Sequence, residues 1–387
     1  MFELKSQIDG NVCTLFLGGR IDSTNAAMAE AEILSVVEGF EGELVLDATE
    51  LQYISSAGLR VILRLKKAHK TMKIINASSD VYEIFDMTGF TEMMEISKAY
   101  RKISVEGCEV IGEGSNGKVY RTDPDTIVKV YKLPDSLEEI HNERELARKA
   151  FIMGIPTAIP YDVVQVGDLY GSVFELLNAK SFSQLINEGE DVEELARQSV
   201  EILKTIHSTE LKDGELPSKR QETIGWAEYV MPSLPEEIGS KLLRLFEEIP
   251  ETNTMLHGDY HIKNIMRQGD ENLLIDMDTL SVGHPIFELG QMYLAYQGFS
   301  ELDHEVIKHF LGIDRDTATR FWMSSLKYYF EGKDDAFIGD IVKKSSIISY
   351  TRLLRRTLKR EPDNQDVIDN CKKQLCRLVP EMDSLSF

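Results

Sequence analysis

The sequence predicts an α/β domain followed by an α+β region, in which a small β lobe precedes a larger helical lobe. Over the first hundred residues, short apolar strands alternate with amphipathic helices, an order typical of an α/β sandwich. A second strand-rich stretch spans residues 109–132, and beyond about residue 193 apolar residues recur mostly at helical spacing. A chain of 387 residues exceeds the usual size of a single domain, so each part can bury a core of its own.

The elements follow in order from the hydrophobic pattern. Asp9-Gly10, between two apolar runs, predicts a β-hairpin. The pattern then predicts a helix over 23–37, a strand over 43–48, a helix over 58–69, a strand over 73–77 and a helix over 79–87. The clearest helices of the C-terminal part are predicted at 193–208, 317–330 and 341–358. The predicted domains span 1–100, 105–180 and 181–387. A charged linker over 97–107 lies at the boundary between the first and the second of them.

The composition excludes several classes of protein. With 65 acidic and 43 basic side chains the net charge is -22, so we expect no binding to nucleic acid or to an anionic membrane. The four cysteines form no CxxC pair and lie away from histidines at metal-ligand spacing, which is typical of a reduced chain. The first residues lack a basic stretch followed by an apolar run, and no run of about 18 apolar residues occurs. We therefore expect a cytoplasmic protein without a membrane span.

A glycine-rich loop lies between two apolar runs at residues 111–120, IGEGSNGKVY. Gly112, Gly114 and Gly117 allow backbone amides to approach phosphates closely, and Ser115 and Asn116 complete the loop. An ordinary glycine-rich hairpin explains the same residues equally well, because a lone motif of this kind is common. The residues that follow favour the phosphate-binding interpretation.

Lys129 interrupts the apolar strand TIVKVYK, which follows the glycine-rich loop. A lysine there can reach nucleotide phosphates, and if it is buried it needs an acidic partner. The next predicted helix offers Glu143 and Glu145, which lie on different helical faces. Glu145 is the preferred partner, and Glu143 is the alternative.

Two short segments carry candidate catalytic and metal-binding side chains. LHGDYHIKNIM, residues 256–266, places Asp259 and Asn264 in one loop, where the carboxylate can take a hydroxyl proton and the amide can bind Mg²⁺. The apolar strand LLIDMD then ends in Asp276, a second candidate ligand for Mg²⁺, with Asp278 as an assisting carboxylate or a turn cap. Any one of these aspartates alone is also typical of a turn.

The order GEGSNGKVY, IVKVYK, helix glutamate, HGDYHIKN and IDMD resembles the aminoglycoside phosphotransferase and choline kinase branch of the kinase-like fold, over roughly residues 105–387. This resemblance implies a bilobal fold that binds ATP and Mg²⁺. It implies a catalytic role for Asp259, metal binding by Asn264 and Asp276, and a match of His261 to a common histidine of the motif. It also implies that backbone between Glu175 and Leu177 meets the adenine, although an interlobe linker is equally compatible with these residues.

The acceptor is expected to be a hydroxyl of a small molecule. Gly258 stands where protein kinases carry an arginine, and the short stretch between IDMD and FELGQMYLAY leaves no room for a long activation segment. The glycine-rich loop is nevertheless close to that of protein kinases, so a serine/threonine kinase acting on its own or another first domain remains an alternative. A non-catalytic nucleotide-sensing adaptor is a second alternative.

The first domain carries two serines ahead of a predicted helix, in the stretch ELVLDATELQYISSAGLRVILRLKK. Ser56 is the predicted N-cap, and capping alone explains a serine there. The stretch resembles the signature of STAS domains, the fold of bacterial anti-sigma factor antagonists, over about residues 1–97. Alignment on Gly58 and Leu59 puts Ser56 at the phosphorylatable serine and Ser55 at the usual aspartate. The resemblance implies a regulatory domain that binds a protein partner, with Ser56 and Ser55 as candidate phosphorylation sites.

Overall fold

The structure, a computed structural model, describes residues 2–114, 116–212 and 214–387. The chain forms two compact units, Met1–Glu106 with Val163–Gly171, and Gly107–Asp162 with Ser172–Phe387. Among the described residues, no helix is both long enough and apolar enough to cross a bilayer.

The first unit is built on a five-stranded sheet with the order β1-β2-β3-β4-β5. The first two strands form the predicted antiparallel hairpin, and the others add in parallel. Its elements are β1 (Phe2–Asp9), β2 (Val12–Ile21), α1 (Ala26–Val37), β3 (Glu43–Ile54), α2 (Ser56–Ala68), β4 (Lys73–Ala77), α3 (Ser79–Met87), α4 (Phe90–Met93), β5 (Ile96–Lys98) and β6 (Arg101–Ile103). The sequence therefore predicted the type and order of the main elements correctly, and β4 and α3 to the residue.

The start of α2 differs from the prediction. The N-cap is Ser55, not Ser56, because Ser55 has extended backbone angles and its hydroxyl accepts a hydrogen bond from the Gly58 amide at 3.4 Å. Ser56 is the first helical residue, and it is exposed. A Cβ at Gly58 would lie 2.7 Å from side-chain atoms of Ile21 and Ile54, so glycine lets this first turn pack directly on the strands.

The remaining elements are β7 (Glu109–Glu113), β8 (Gly117–Asp123), β9 (Thr126–Tyr131), α5 (Leu137–Ile152), β10 (Asp162–Val166), β11 (Leu169–Glu175), β12 (Lys180–Ser181), α6 (Phe182–Asn187), α7 (Val192–His207), α8 (Lys219–Val230), α9 (Glu236–Glu247), β13 (Met255–Leu256), β14 (Ile265–Gln268), β15 (Glu271–Leu274), β16 (Ser281–Val282), α10 (Ile286–Tyr296), α11 (Glu305–Leu311), α12 (Arg315–Tyr329), α13 (Asp335–Arg360) and α14 (Gln365–Leu378). Strands β7, β8 and β9 are antiparallel neighbours, and β11 lies beside β9. The small sheets β12-β14-β15 and β13-β16 belong to the helical part. In the first unit, β6 pairs in parallel with β10 at Arg101 and Val164.

The helical lobe is held by a single apolar cluster, to which α7, α10, α12 and α13 contribute fully buried side chains. Helix α13 is longer than predicted because the Asp334 carboxylate accepts the Phe337 amide at 2.8 Å and starts the helix earlier. Helices α10 and α13 approach closely at Gly290, where a Cβ would lie 2.5 Å from Cγ2 of the buried Ile348.

We predict that Gly290→Ala destabilises the second unit by about 1–3 kcal/mol, because the added methyl group overpacks the contact with Ile348. Gly339→Ala is the matched control on α13: apart from its chain neighbours and the backbone of its own helix, no described atom lies within 4 Å of its Cβ position, so alanine stabilises the helix by roughly 0.5–1 kcal/mol. Both tryptophans, Trp226 and Trp322, lie in this unit, so urea unfolding followed by tryptophan fluorescence measures the effect. Equal stabilities of the two variants would contradict the close contact.

Candidate active site

Lys129 extends from β9 into a carboxylate cluster. Its ammonium lies 2.9 Å and 3.1 Å from the two carboxylate oxygens of Glu143 on α5, and the Tyr131 hydroxyl donates a further hydrogen bond to that carboxylate. The preference for Glu145 was wrong. Glu145 lies two residues further along α5, so it points away from the sheet. Its side chain is 59% exposed and lies 3.9 Å from Arg148, whereas the side chain of Glu143 is 5% exposed.

The same lysine reaches the segment that follows β15. Lys129 Nζ lies 3.3 Å from Oδ1 of Asp276. Burial alone would lower the pKa of Lys129, but attraction to Asp276 and Glu143 outweighs burial and raises it. Lys129 is therefore a fixed cation that links the small-lobe sheet, α5 and the loop at Asp276.

Asp259 and Asn264 are brought together by the loop between β13 and β14. The Asn264 amide donates to the Asp259 carbonyl at 3.0 Å and lies 3.5 Å from the Asp259 carboxylate. His261 Nε2 lies 3.4 Å from the same carboxylate. Burial alone would raise the pKa of Asp259, but the interaction with His261 lowers it to about 2. Asp259 is thus an ionised carboxylate, able to accept a proton from a hydroxyl.

The backbone of this loop is anchored by Glu288, a residue that the sequence analysis missed. Glu288 lies in the first turn of α10. Its carboxylate accepts hydrogen bonds from the backbone amides of His257, at 2.6 Å, and Gly258, at 3.0 Å. Glu288 is fully buried; burial alone would raise its pKa, whereas His207 and His257 lower it. The available signal was an acidic residue inside the apolar helix FELGQMYLAY, because a buried charge requires a specific partner.

Gly258 has a conformational reason to be glycine. Its φ is +85°, and a Cβ there would lie 2.4 Å from the Thr279 carbonyl oxygen. The Thr279 hydroxyl in turn donates to the His257 carbonyl at 2.8 Å. The residue before Asp259 therefore packs directly on the segment that carries Asp276 and Asp278.

Asp276, Asp278 and Asn264 offer oxygen atoms that suit Mg²⁺. Asp276 adopts a φ of +67°, which is uncommon for a residue with a side chain. Burial, followed by repulsion from Asp276, raises the pKa of Asp278 to about 7. Asp276 and Asp278 are two crowded carboxylates, and carboxylate and amide oxygens are the ligands that a hard divalent cation favours, so the chemistry of these three residues fits the predicted metal. When bound there, Mg²⁺ would neutralise charge on nucleotide phosphates.

The glycine-rich loop forms the turn between β7 and β8. The Gly114 amide donates to the Gly117 carbonyl at 2.9 Å, and a Cβ at Gly117 would lie 2.4 Å from the Val130 carbonyl oxygen. The Asn116 side chain donates to Glu139 on α5 at 3.2 Å, and Gly112 packs near Val119. Ser115, which was predicted to belong to this set, lies outside the described residues. Gly114 and Gly117 therefore lie close together, next to the strand that carries Lys129.

The predicted adenine-binding segment follows directly from β11. Glu175 ends this strand and is exposed, while Leu177 is partly buried. The Leu176 amide donates to the Asp125 carbonyl at 2.9 Å, just before β9 begins. Contact with adenine remains a prediction.

Two protein families match separate parts of the chain. Residues 107–321 match the phosphotransferase enzyme family, and residues 3–103 match the STAS domain. The N-terminal part is similar to BtrV of Bordetella bronchiseptica, which is named as an anti-sigma factor antagonist. The two are 34% identical over 97 residues, covering 24% of this chain and 83% of BtrV.

Two solved structures share the fold. ADP-bound aminoglycoside phosphotransferase APH(2'')-Ib is 16% identical with a TM-score of 0.50, and the match covers 79% of this chain and 99% of that one. A thermostable mutant of aminoglycoside phosphotransferase APH(4)-Ia, in complex with AMP-PNP and hygromycin B, is 13% identical with a TM-score of 0.51, covering 72% and 94%. The predicted kinase-like fold is confirmed. Because the family match spans more than half of the chain, the protein belongs to the phosphotransferase enzyme family and carries an N-terminal STAS domain.

Proposed function

We propose that the second unit transfers the γ-phosphoryl group of ATP to a hydroxyl of a small molecule. The observation that carries this proposal is the triad in which Lys129 meets Glu143 and Asp276 within 3.3 Å. Such a triad combines a cation for nucleotide phosphates with a carboxylate for their metal ion. The nucleotides ADP and AMP-PNP named for the two structural relatives are consistent with a nucleotide donor.

In the proposed reaction, the loop amides from Gly112 to Gly117 and the Lys129 ammonium hold the phosphates of ATP. The Asp259 carboxylate accepts the proton of the acceptor hydroxyl while the hydroxyl oxygen attacks the γ-phosphorus. The bond between the γ-phosphorus and the bridging oxygen breaks, and ADP leaves. Asn264 holds Asp259 in position through its amide N–H and keeps its amide oxygen for Mg²⁺.

A small acceptor is favoured by the short connection after the metal-binding segment. Only seven residues, 279–285, separate Asp278 from α10, and two of them form β16. A peptide-docking activation segment needs more chain than this. The STAS domain is proposed to regulate the enzyme through a protein partner, with Ser56 and Ser55 at the start of α2 as its candidate phosphorylation sites.

We predict that Asp259→Asn lowers the rate of phosphoryl transfer by about 10²–10⁴-fold, because the proton acceptor is lost. Asp270→Asn, an exposed aspartate in the turn between β14 and β15, is the control and keeps full activity. The measurement is transfer of label from γ-labelled ATP with Mg²⁺ to a panel of alcohols and amino sugars. Label that appears only in the protein, and is lost in Ser55→Ala/Ser56→Ala, would favour the protein kinase alternative. Unchanged transfer by Asp259→Asn would contradict the proposed role.

We predict that Glu143→Gln raises the KM for ATP and lowers kcat, with kcat/KM falling by at least about tenfold, because Lys129 loses the nearer of its two charged partners. Glu145→Gln is a matched control on the same helix, and its exposed side chain predicts values within about twofold of wild type. Steady-state kinetics with varied ATP tests both variants. Similar losses in the two variants would contradict the assigned pairing.

A further inference from the structure

Three hydrogen-bond donor side chains, Lys219, Trp226 and Arg352, lie close together on α8 and α13, and two of them have no acceptor among the described residues. The Arg352 guanidinium lies over the Trp226 ring at 5.8 Å from its centroid, and the Lys219 ammonium lies at the same distance from that ring. Cations at this distance from an indole face are attracted to it. Two cationic side chains therefore converge on one buried aromatic residue.

Arg352 is available to bind a ligand. In residues 2–114, 116–212 and 214–387, its guanidinium makes no hydrogen bond or ion pair, although it is only partly exposed. A guanidinium carries five N–H donors, so leaving all of them without a protein acceptor is costly unless water or a ligand accepts them. The planar fork of an arginine binds phosphate and carboxylate groups in bidentate fashion.

Trp226 also carries a hydrogen-bond donor without an acceptor among the described residues. It is 3% exposed, and its indole N–H is buried without a hydrogen-bond partner among the described atoms. An indole nitrogen can donate but cannot accept. Lys219 is the third donor side chain; its ammonium lies 2.8 Å from the exposed carboxylate of Glu222. The cluster thus presents three donors and one acceptor.

The cluster adjoins the catalytic loop. Burial alone would raise the pKa of Asp259, and Arg352 is one of the charges, with His261 and His257, that lower it. Lys219 lies at the start of α8, where a Cβ built on Gly283 would be 3.3 Å from the Lys219 Cβ. Gly283 directly follows β16, which pairs with β13 just before His257. A ligand held by this cluster is therefore within electrostatic reach of Asp259.

Positive charge continues from Arg352 along α13. Arg355 and Lys359 lie three and seven residues further on, so they share its helical face, and the Lys359 ammonium lies 4.9 Å from the centroid of the Tyr229 ring. Seven residues of helix span about 10 Å. This face is unusual in a chain with a net charge of -22. Cationic amino sugars would meet like charge here, whereas an anion would be attracted.

We propose that the acceptor is a small alcohol that carries a phosphate or carboxylate group, which Arg352, Lys219 and the indole N–H of Trp226 bind while its hydroxyl faces Asp259. The inference rests on the proposed phosphotransferase function and names its substrate class. Glu222 neutralises one of the two cations, so the unpaired Arg352 makes the larger contribution to anion binding.

Binding is tested by titrating the full chain with glucose 6-phosphate, gluconate, glucose and glucosamine at constant ionic strength while tryptophan emission is recorded. We expect a saturable change with the two anionic sugars that is absent with glucose and glucosamine and lost in Trp226→Phe. Arg352→Gln weakens anion binding by about 10- to 100-fold, because a charge-assisted contact is removed. Arg360→Gln, exposed at the end of the same helix, changes it by less than about twofold.

Transfer of label from ATP to the same four compounds separates this inference from the proposed function. Label in an anionic sugar, with a higher KM for that sugar in Arg352→Gln and an unchanged KM for ATP, supports both. Label in glucose or glucosamine together with no response of Trp226 to anions overturns the inference and leaves the phosphotransferase intact. Anion binding at Trp226 with no transfer to any compound overturns the function instead. A change in tryptophan emission with poly-glutamate but with neither anionic sugar would contradict the inference that the acceptor is a small molecule.

Discussion

The pairing of the Lys129 ammonium is the constraint on which the site depends. A cation largely withdrawn from water must be balanced by nearby carboxylates, and here Glu143 and Asp276 supply them at 2.9 and 3.3 Å. These three side chains come from a strand, a helix and a loop that are distant in the sequence. Once Lys129 is paired, the sheet, α5 and the segment that carries Asp276 have a fixed arrangement around one point.

At the loop between β13 and β14, a buried negative charge is balanced in a similar way. Glu288 is a fully buried carboxylate whose acceptors are filled by the His257 and Gly258 amides. Two backbone N–H groups and a carboxylate thereby satisfy one another, which keeps the loop rigid without a bound ligand. Asp259 is the next residue in the chain, so its backbone is held in place by the same hydrogen bonds. Lys129 and Glu288 thus each have a partner of opposite charge or backbone donors, whereas the Arg352 guanidinium has no hydrogen-bond or ion-pair partner among the described residues.

Local sequence carried enough information for the candidates that lie in short motifs. Asp259 and Asn264 lie five residues apart in one loop, so their proximity follows from spacing alone, and the strand before Asp276 was clear from its apolar run. Sequence spacing did not show whether Glu143 or Glu145 pairs with Lys129. The pairing depends on how α5 is rotated against the sheet, and that rotation is set by tertiary packing rather than by the helix itself.

The dependence on tertiary structure also explains the other differences between the sequence-based predictions and the structure. Either serine before α2 is a good N-cap, and only the extended backbone of Ser55 decides between them. Glu288 and Arg352 lie about 30 and 90 residues beyond Asp259 in helices whose facing sides the sequence does not determine. Long-range partners of this kind become visible only when the fold brings the helices to the loop.

Calorimetric titration of ATP, with and without Mg²⁺, into the full chain and into Asp276→Asn tests whether Lys129 and Asp276 form a metal-dependent nucleotide site. We expect Mg²⁺ to tighten ATP binding to wild type by at least about tenfold, because without the ion the Asp276 carboxylate repels the phosphates. In Asp276→Asn that gain should vanish, and metal-free ATP should bind at least as tightly as it does to wild type. Equal binding of ATP to wild type with and without Mg²⁺ would contradict a metal-dependent nucleotide site at Lys129 and Asp276.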